Sequence, residues 1–194
     1  MEIIIHRVNT ISELQSINPK YGVEIDIRAW GSDLVLNHEP FSEGEKLENY
    51  LDEYCHGTLI LNIKEAGIED EVLRLVRERS RIKSYFLLDV EFPYLYGASR
   101  KGEKNIAIRF SEDESIETVK KYIGMLNWVW IDTNTKFPIT KENKTTLDNF
   151  KKCLVCPERW ERPEDIANYR RKMLSYGFAL DAVMSSSNYK NNWL

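Results

Sequence analysis

Cysteine is scarce: only Cys55, Cys153 and Cys156 occur in 194 residues. An odd and sparse set makes no disulfide framework and suits a reducing compartment. Cys153 and Cys156 have C-x-x-C spacing, but they lie in an apolar run that reads as a strand. There the two sulfurs face opposite sides, so they read as buried small hydrophobes and not as a redox or zinc pair. No Gly-rich turn follows the first apolar run, which removes the usual mark of a dinucleotide-binding sheet. No apolar run approaches the ~20 residues a bilayer span needs. The opening Met1-Glu2-Ile3-Ile4-Ile5-His6 has no basic stretch and no small-residue cleavage site, so it reads as a strand and not as a signal peptide. Positive charge is not in excess either. With 27 Lys and Arg against 31 Asp and Glu, the net charge is -4. That argues against a broad nucleic-acid footprint but not against a local basic pocket.

What is present is a regular alternation of short apolar runs with amphipathic segments. Strands are expected near residues 2–7, 23–28, 58–64, 85–91, 105–110, 128–132, 152–156 and 180–185. Helices are expected over 10–17, 43–54, 68–79, from 93, 113–126, 141–150 and 163–176. Thr10 with Glu13 has the spacing of a capping box, and Gly177 is placed to stop the last helix. A turn at Gly31-Ser32-Asp33 and a return strand toward His38 add a hairpin. The runs are nearly continuous in apolar residues, as in a parallel sheet covered by helices. Eight such units predict one α/β domain over 1–194, a compact (β/α)8 TIM barrel with a small extra hairpin after the second strand. A doubly wound open sheet is the structural alternative.

The strands end in polar residues. In order these are His6 and Arg7; Glu24, Asp26 and Arg28; Asn62 and Lys64; Asp89 and Glu91; Arg109 and Ser111; Asp132; Glu158; and Ser185. A structural barrel has no need for so many groups that are costly to bury at one end, whereas an active site there does. His56 sits at the opposite end of a strand, in the turn before it, and is expected to be solvated. The aromatics Trp30, Tyr94, Tyr96, Trp130 and Trp160 look exposed near the same loops as the polar ends and suit stacking on a sugar or cationic group, although packing is the commoner role.

His6-Arg7 on the first strand, Glu24-x-Asp26 on the second, His38 just after it and Ile63-Lys64 on the third resemble the glycerophosphodiester phosphodiesterase family. The resemblance covers the first third of the chain. It implies a phosphodiesterase acting on a small-molecule substrate in lipid metabolism, with His6 and His38 as the acid/base pair. It implies that Glu24 and Asp26 bind a divalent cation, calcium or magnesium, and that Arg7 and Lys64 contact phosphate. A cyclic phosphate formed by a neighbouring substrate hydroxyl is the expected intermediate. His6 is read as base and His38 as acid, an order the residues alone leave open.

The sequence departs from the family pattern in four places. Val8 replaces glycine after His6-Arg7, and Asn9-Thr10 follow at once. Glu39 replaces the aspartate after the second histidine. Asn62 stands where the third metal carboxylate belongs, and Asp89 is read as restoring that charge. The insertion many relatives carry between second and third strands is absent. Arg109 has no counterpart and is read either as a clamp on the substrate phosphate or as the partner of Asp89 or Asp132. Two rivals stand beside the hydrolase: a weakened barrel that binds a phosphorylated ligand without turnover, and a barrel enzyme using Lys64 as a Schiff-base nucleophile. A cytoplasmic location, no integral membrane segment and no nucleic-acid partner complete the expectation.

Overall fold

The computed structural model describes all residues from Met1 to Leu194. The chain packs as two compact units, Ile4–Gly97 and Ala98–Leu194, with Met1–Ile3 counted in the second. No helix is long and apolar enough to cross a membrane.

In the first unit the elements are β1 (Glu2–Ile5), α1 (Ile11–Ser16), β2 (Gly22–Trp30), β3 (Asp33–Leu36), β4 (Glu45–Lys46), α2 (Leu47–Glu53), β5 (Leu59–Ile63), α3 (Glu69–Arg77) and β6 (Tyr85–Leu88). The helix α4 (Phe92–Arg100) crosses the boundary. β2 is the hub. It runs parallel to β1 through Gly22 and Val23, parallel to β5 through Val23–Ile27, and antiparallel to β3 through Ile27–Trp30. β5 passes the parallel ladder on to β6. Val23, Ile25 and Ile27 are fully buried, and so are Glu24 and Asp26 on the other face. The apolar and the charged face of this alternating strand are therefore both buried.

The second unit continues with β7 (Ala107–Phe110), α5 (Ile116–Lys120), β8 (Trp128–Ile131), α6 (Lys141–Leu147), β9 (Lys151–Val155), α7 (Asp165–Tyr176) and β10 (Ala182–Ser185). Its ladder β10-β9-β8-β7 is all parallel.

The fold is mixed α/β, but the expected closed (β/α)8 TIM barrel is not formed. Closure requires every strand to have two neighbours. β6 is paired only with β5, and β7 only with β8, so the ladders end there. The sheet is also mixed, because β3 and β4 run antiparallel to their neighbours. Eight apolar runs separated by helices set the number of strands. They carry no information about whether the first and last edges meet.

Local signals fared better where a specific bond enforces them. Thr10 caps α1 with Glu13 in a reciprocal box, and Gly177 at φ 60° ends α7. The helix expected over 43–54 begins only at Leu47, because Glu45 and Lys46 pair with Leu36 and Val35. Gly44 permits that return: a Cβ there would lie 2.2 Å from the Leu36 carbonyl oxygen. The helix expected over 113–126 is cut to Ile116–Lys120, with Ser115 as its cap.

Candidate functional site

The site is assembled in the unit Ile4–Gly97 around the buried pair Glu24 and Asp26. After β1 the chain turns sharply at Arg7, whose φ of 54° lies in the left-handed region. This aims the Arg7 amide at Glu24, with N donating to Oε2 over 2.8 Å. The next turn is held by Val8 N donating to the Glu24 carbonyl, 2.9 Å. His6 Nε2 lies 3.7 Å from Glu24 Oε2. Asn9 then clamps Asp26 twice: its Nδ2 donates to Asp26 Oδ2 over 2.9 Å, and its Oδ1 accepts from the Asp26 amide over 2.8 Å.

β5 supplies the second wall. The register sets Asn62 directly beside Asp26, and Asn62 Nδ2 donates to Glu24 Oε1 over 2.7 Å. Lys64 Nζ lies 3.2 Å from Asp26 Oδ1 and 3.9 Å from Asp89 Oδ2, so the ammonium sits between two carboxylates. Asp89, just after β6, also adopts a positive φ, 57°. The turn after β3 contributes His38, brought back by Asn37 N donating to the Asp26 carbonyl. Arg28 fastens two of these ends. Its Nε and Nη2 donate to the His38 carbonyl and its Nη1 to the Lys64 carbonyl.

Burial, with the Asp26 charge beside it, pushes the Glu24 carboxyl up to about 7 from its usual 4.5. Donation from Asn62 and the Arg7 amide and the charge of Lys64 oppose this and are outweighed. The pair therefore carries less than two full negative charges near neutrality.

Of the residues expected at the site, the structure gathers His6, Arg7, Glu24, Asp26, His38, Asn62, Lys64 and Asp89 in this unit. The ion pair it gives Asp89 is with Lys64. Arg109 belongs to the other unit, where it pairs with Asp132 and its Nε donates to Glu114 Oε1 over 2.8 Å. Trp130 Nε1 donates to the same Asp132 oxygen, 3.1 Å. A guanidinium balanced by two carboxylates has little net charge to offer a phosphate. Trp130 is buried, not exposed, whereas Trp30, Tyr96 and Trp160 are exposed. His56 is not simply solvated, since its Nε2 donates to the Ile17 carbonyl over 3.0 Å. Sequence reasoning left Asn9 and Arg28 without a role. Asn9 follows His6-Arg7 at the distance of one tight turn, and Arg28 shares the face of Glu24 and Asp26.

Whether these residues fit a cation is decided by two oxygens. Asp26 Oδ1 and Asn62 Oδ1 are buried without a hydrogen-bond donor. The first has Lys64 at ion-pair distance but not in hydrogen-bond geometry. No group of three or more His, Cys, Asp or Glu side chains is arranged to hold a metal ion. The available set is two carboxylates and one amide oxygen. All are hard oxygen donors, so they fit calcium or magnesium, with the weak affinity expected of a reduced charge.

Comparison with models of known families finds no family model that matches the chain, and comparison with curated proteins finds no match.

Asn9→Ala removes both bonds to a buried carboxylate and its amide. It is expected to destabilise the protein by about 2 kcal/mol, read as a fall in the urea midpoint at unchanged slope. A shift no larger than that of a surface substitution would remove Asn9 from this account.

Proposed function

We propose that this chain is a phosphodiester hydrolase of the glycerophosphodiester phosphodiesterase type, assisted by a divalent cation and acting in the cytoplasm on small lipid-derived diesters. The observation that carries the reading is the linkage through Arg7. Its amide holds Glu24 beside His6, and its guanidinium reaches His38, Nη2 to Nε2 over 2.6 Å. Two histidines, each against a carboxylate, thus flank a cationic side chain suited to a phosphate.

In this reading His6, backed by Glu24, takes the proton from a neighbouring hydroxyl of the substrate as that oxygen attacks phosphorus. His38 gives a proton to the leaving alkoxide. Arg7 and Lys64 meet the nonbridging oxygens, where charge grows in the transition state. The cyclic phosphate then opens to water with the two histidines exchanging roles. Glu24, Asp26 and Asn62 would hold the cation, and Asp89 steadies Lys64. When bound, the cation supplies further neutralisation of phosphate charge.

Purified full-length protein assayed against glycerophosphocholine, glycerophosphoethanolamine and glycerophosphoinositol by phosphorus NMR tests this directly. Product is expected with calcium or magnesium, lost to chelator and recovered on adding the cation back. One feature, Asn62 in place of a carboxylate, favours the alternative of phosphate binding without turnover. Thermal stabilisation by these diesters with no product under any condition would select it.

A further inference from the structure

His38 is held in a form that cannot deliver a proton. A guanidinium only donates hydrogen bonds, so the 2.6 Å contact from Arg7 Nη2 makes His38 Nε2 an acceptor with its lone pair occupied. The ring proton must then sit on Nδ1, which donates to Glu39 Oε1 over 2.7 Å. Glu39 is ionised, its carboxyl held below the usual range by the His38 hydrogen bond, with smaller help from Arg7 and Arg28. Those three are the charged groups in contact with His38 or its carbonyl: Arg7 from the turn after β1, Arg28 from β2 and Glu39 from its own turn. Arg28 holds the His38 carbonyl and Glu39 holds its Nδ1, so with the ring in this place Nε2 is released when Arg7 leaves. The guanidinium can exchange His38 for another acceptor while the Arg7 amide stays on Glu24, because the side chain is exposed and the amide bond does not involve it.

We propose that the phosphate group of the substrate is what arms His38. By drawing the Arg7 guanidinium onto its oxygens, a phosphodiester anion frees Nε2, and the ring takes up one proton from solvent while Glu39 holds the resulting imidazolium. The proton added at Nε2 is the one later given to the leaving alkoxide, and the other stays on Nδ1, donated to the Glu39 carboxylate. This rests on the reading of the site as a phosphodiesterase and adds to it a coupling. The acid is assembled only when an anion is bound, and Glu39 is a positioning residue that sets the tautomer.

The test uses the full chain labelled with ¹⁵N histidine and dimethyl phosphate as probe, a diester anion with no proton to exchange near neutrality. At pH 7 the free protein should show His38 with Nδ1 protonated and Nε2 bare. Saturating probe should raise the ratio of doubly protonated to neutral ring at least tenfold. Glu39→Gln should bind the probe without that rise. Binding seen at the Arg7 guanidinium with Nε2 still bare overturns the coupling and leaves the hydrolase reading standing. If the probe does not bind, the phosphate reading fails, and Arg7→Ala decides the latch alone. A tenfold rise without ligand upholds it, and a ring that stays bare at Nε2 overturns it. Arg7→Gly, which suits the left-handed backbone, replaces the alanine variant if that one fails to fold.

Discussion

His38→Ala is expected to lower turnover of a glycerophosphodiester by ~10²–10⁴-fold with little change in KM, and His6→Ala by a similar factor. The reason is positional. Each histidine sits against its own carboxylate, His6 on Glu24 at 3.7 Å and His38 on Glu39 at 2.7 Å. Neither can substitute for the other across the phosphate. The two losses separate with leaving group. A nitrophenyl ester needs no proton on its departing oxygen, so the acid becomes dispensable while the base does not. His38→Ala should then recover most of its activity on that substrate, and His6→Ala should not. Equal recovery by both variants would remove the assignment of base to His6, and full activity in either on the natural diester would end the mechanism. Initial rates at saturating and at low substrate supply both readouts.

Much of the site was legible because it is local. Glu24-x-Asp26 and Asn62 sit on strands, and His6-Arg7 and Lys64 directly follow β1 and β5, so these last lie close to their strands' ends. The register formed sets Asn62 beside Asp26. The capping box on α1 and the stop at Gly177 were legible for the same reason, since each is a bond within a few residues. Closure of the sheet was not, because it depends on the edges at Tyr85–Leu88 and Ala107–Phe110, and no residue pattern within either strand says whether the other will be its neighbour. Arg109 was left between a phosphate clamp and an ion pair with Asp89 or Asp132, and the pair with Asp132 is the one formed. Whether a strand-end arginine meets a ligand or two carboxylates turns on Asp132 and Glu114, one a strand away and the other in the following turn. Alternation along β2 marks two unlike faces without saying how deeply either is buried, and the face carrying Glu24 and Asp26 is fully buried. Its burial is what gives the site its electrostatic character.

That burial has a measurable consequence with an unusual sign. Most carboxylates that gain partners on folding are shifted down and stabilise a protein above their unfolded value. Glu24 is shifted up, from 4.5 to about 7, chiefly by burial and next by Asp26. The folded state therefore holds a proton that the unfolded chain has already lost between those two values. Stability contributed by this group is complete below about pH 4.5 and falls as pH rises toward 7, by about 1.4 kcal/mol per pH unit and about 3 kcal/mol in all. Above 7 the loss levels off. Glu39, Glu71, Glu112 and Glu142, which are shifted down, act at the acid end and leave this window flat. Comparing urea unfolding of the wild type with Glu24→Gln from pH 4.5 to 8 isolates the effect, because every other ionisable group is common to both. The wild type should lose about 3 kcal/mol relative to the variant across the window. If Glu24, Asp26 and Asn62 hold the proposed cation, it takes the place of the missing proton, so calcium or magnesium should stabilise the wild type more at pH 8 than at pH 5, and the variant much less at either. A difference between the two proteins that stays constant with pH would mean that Glu24 is ionised throughout, and the site would then carry its full charge of two without any cation.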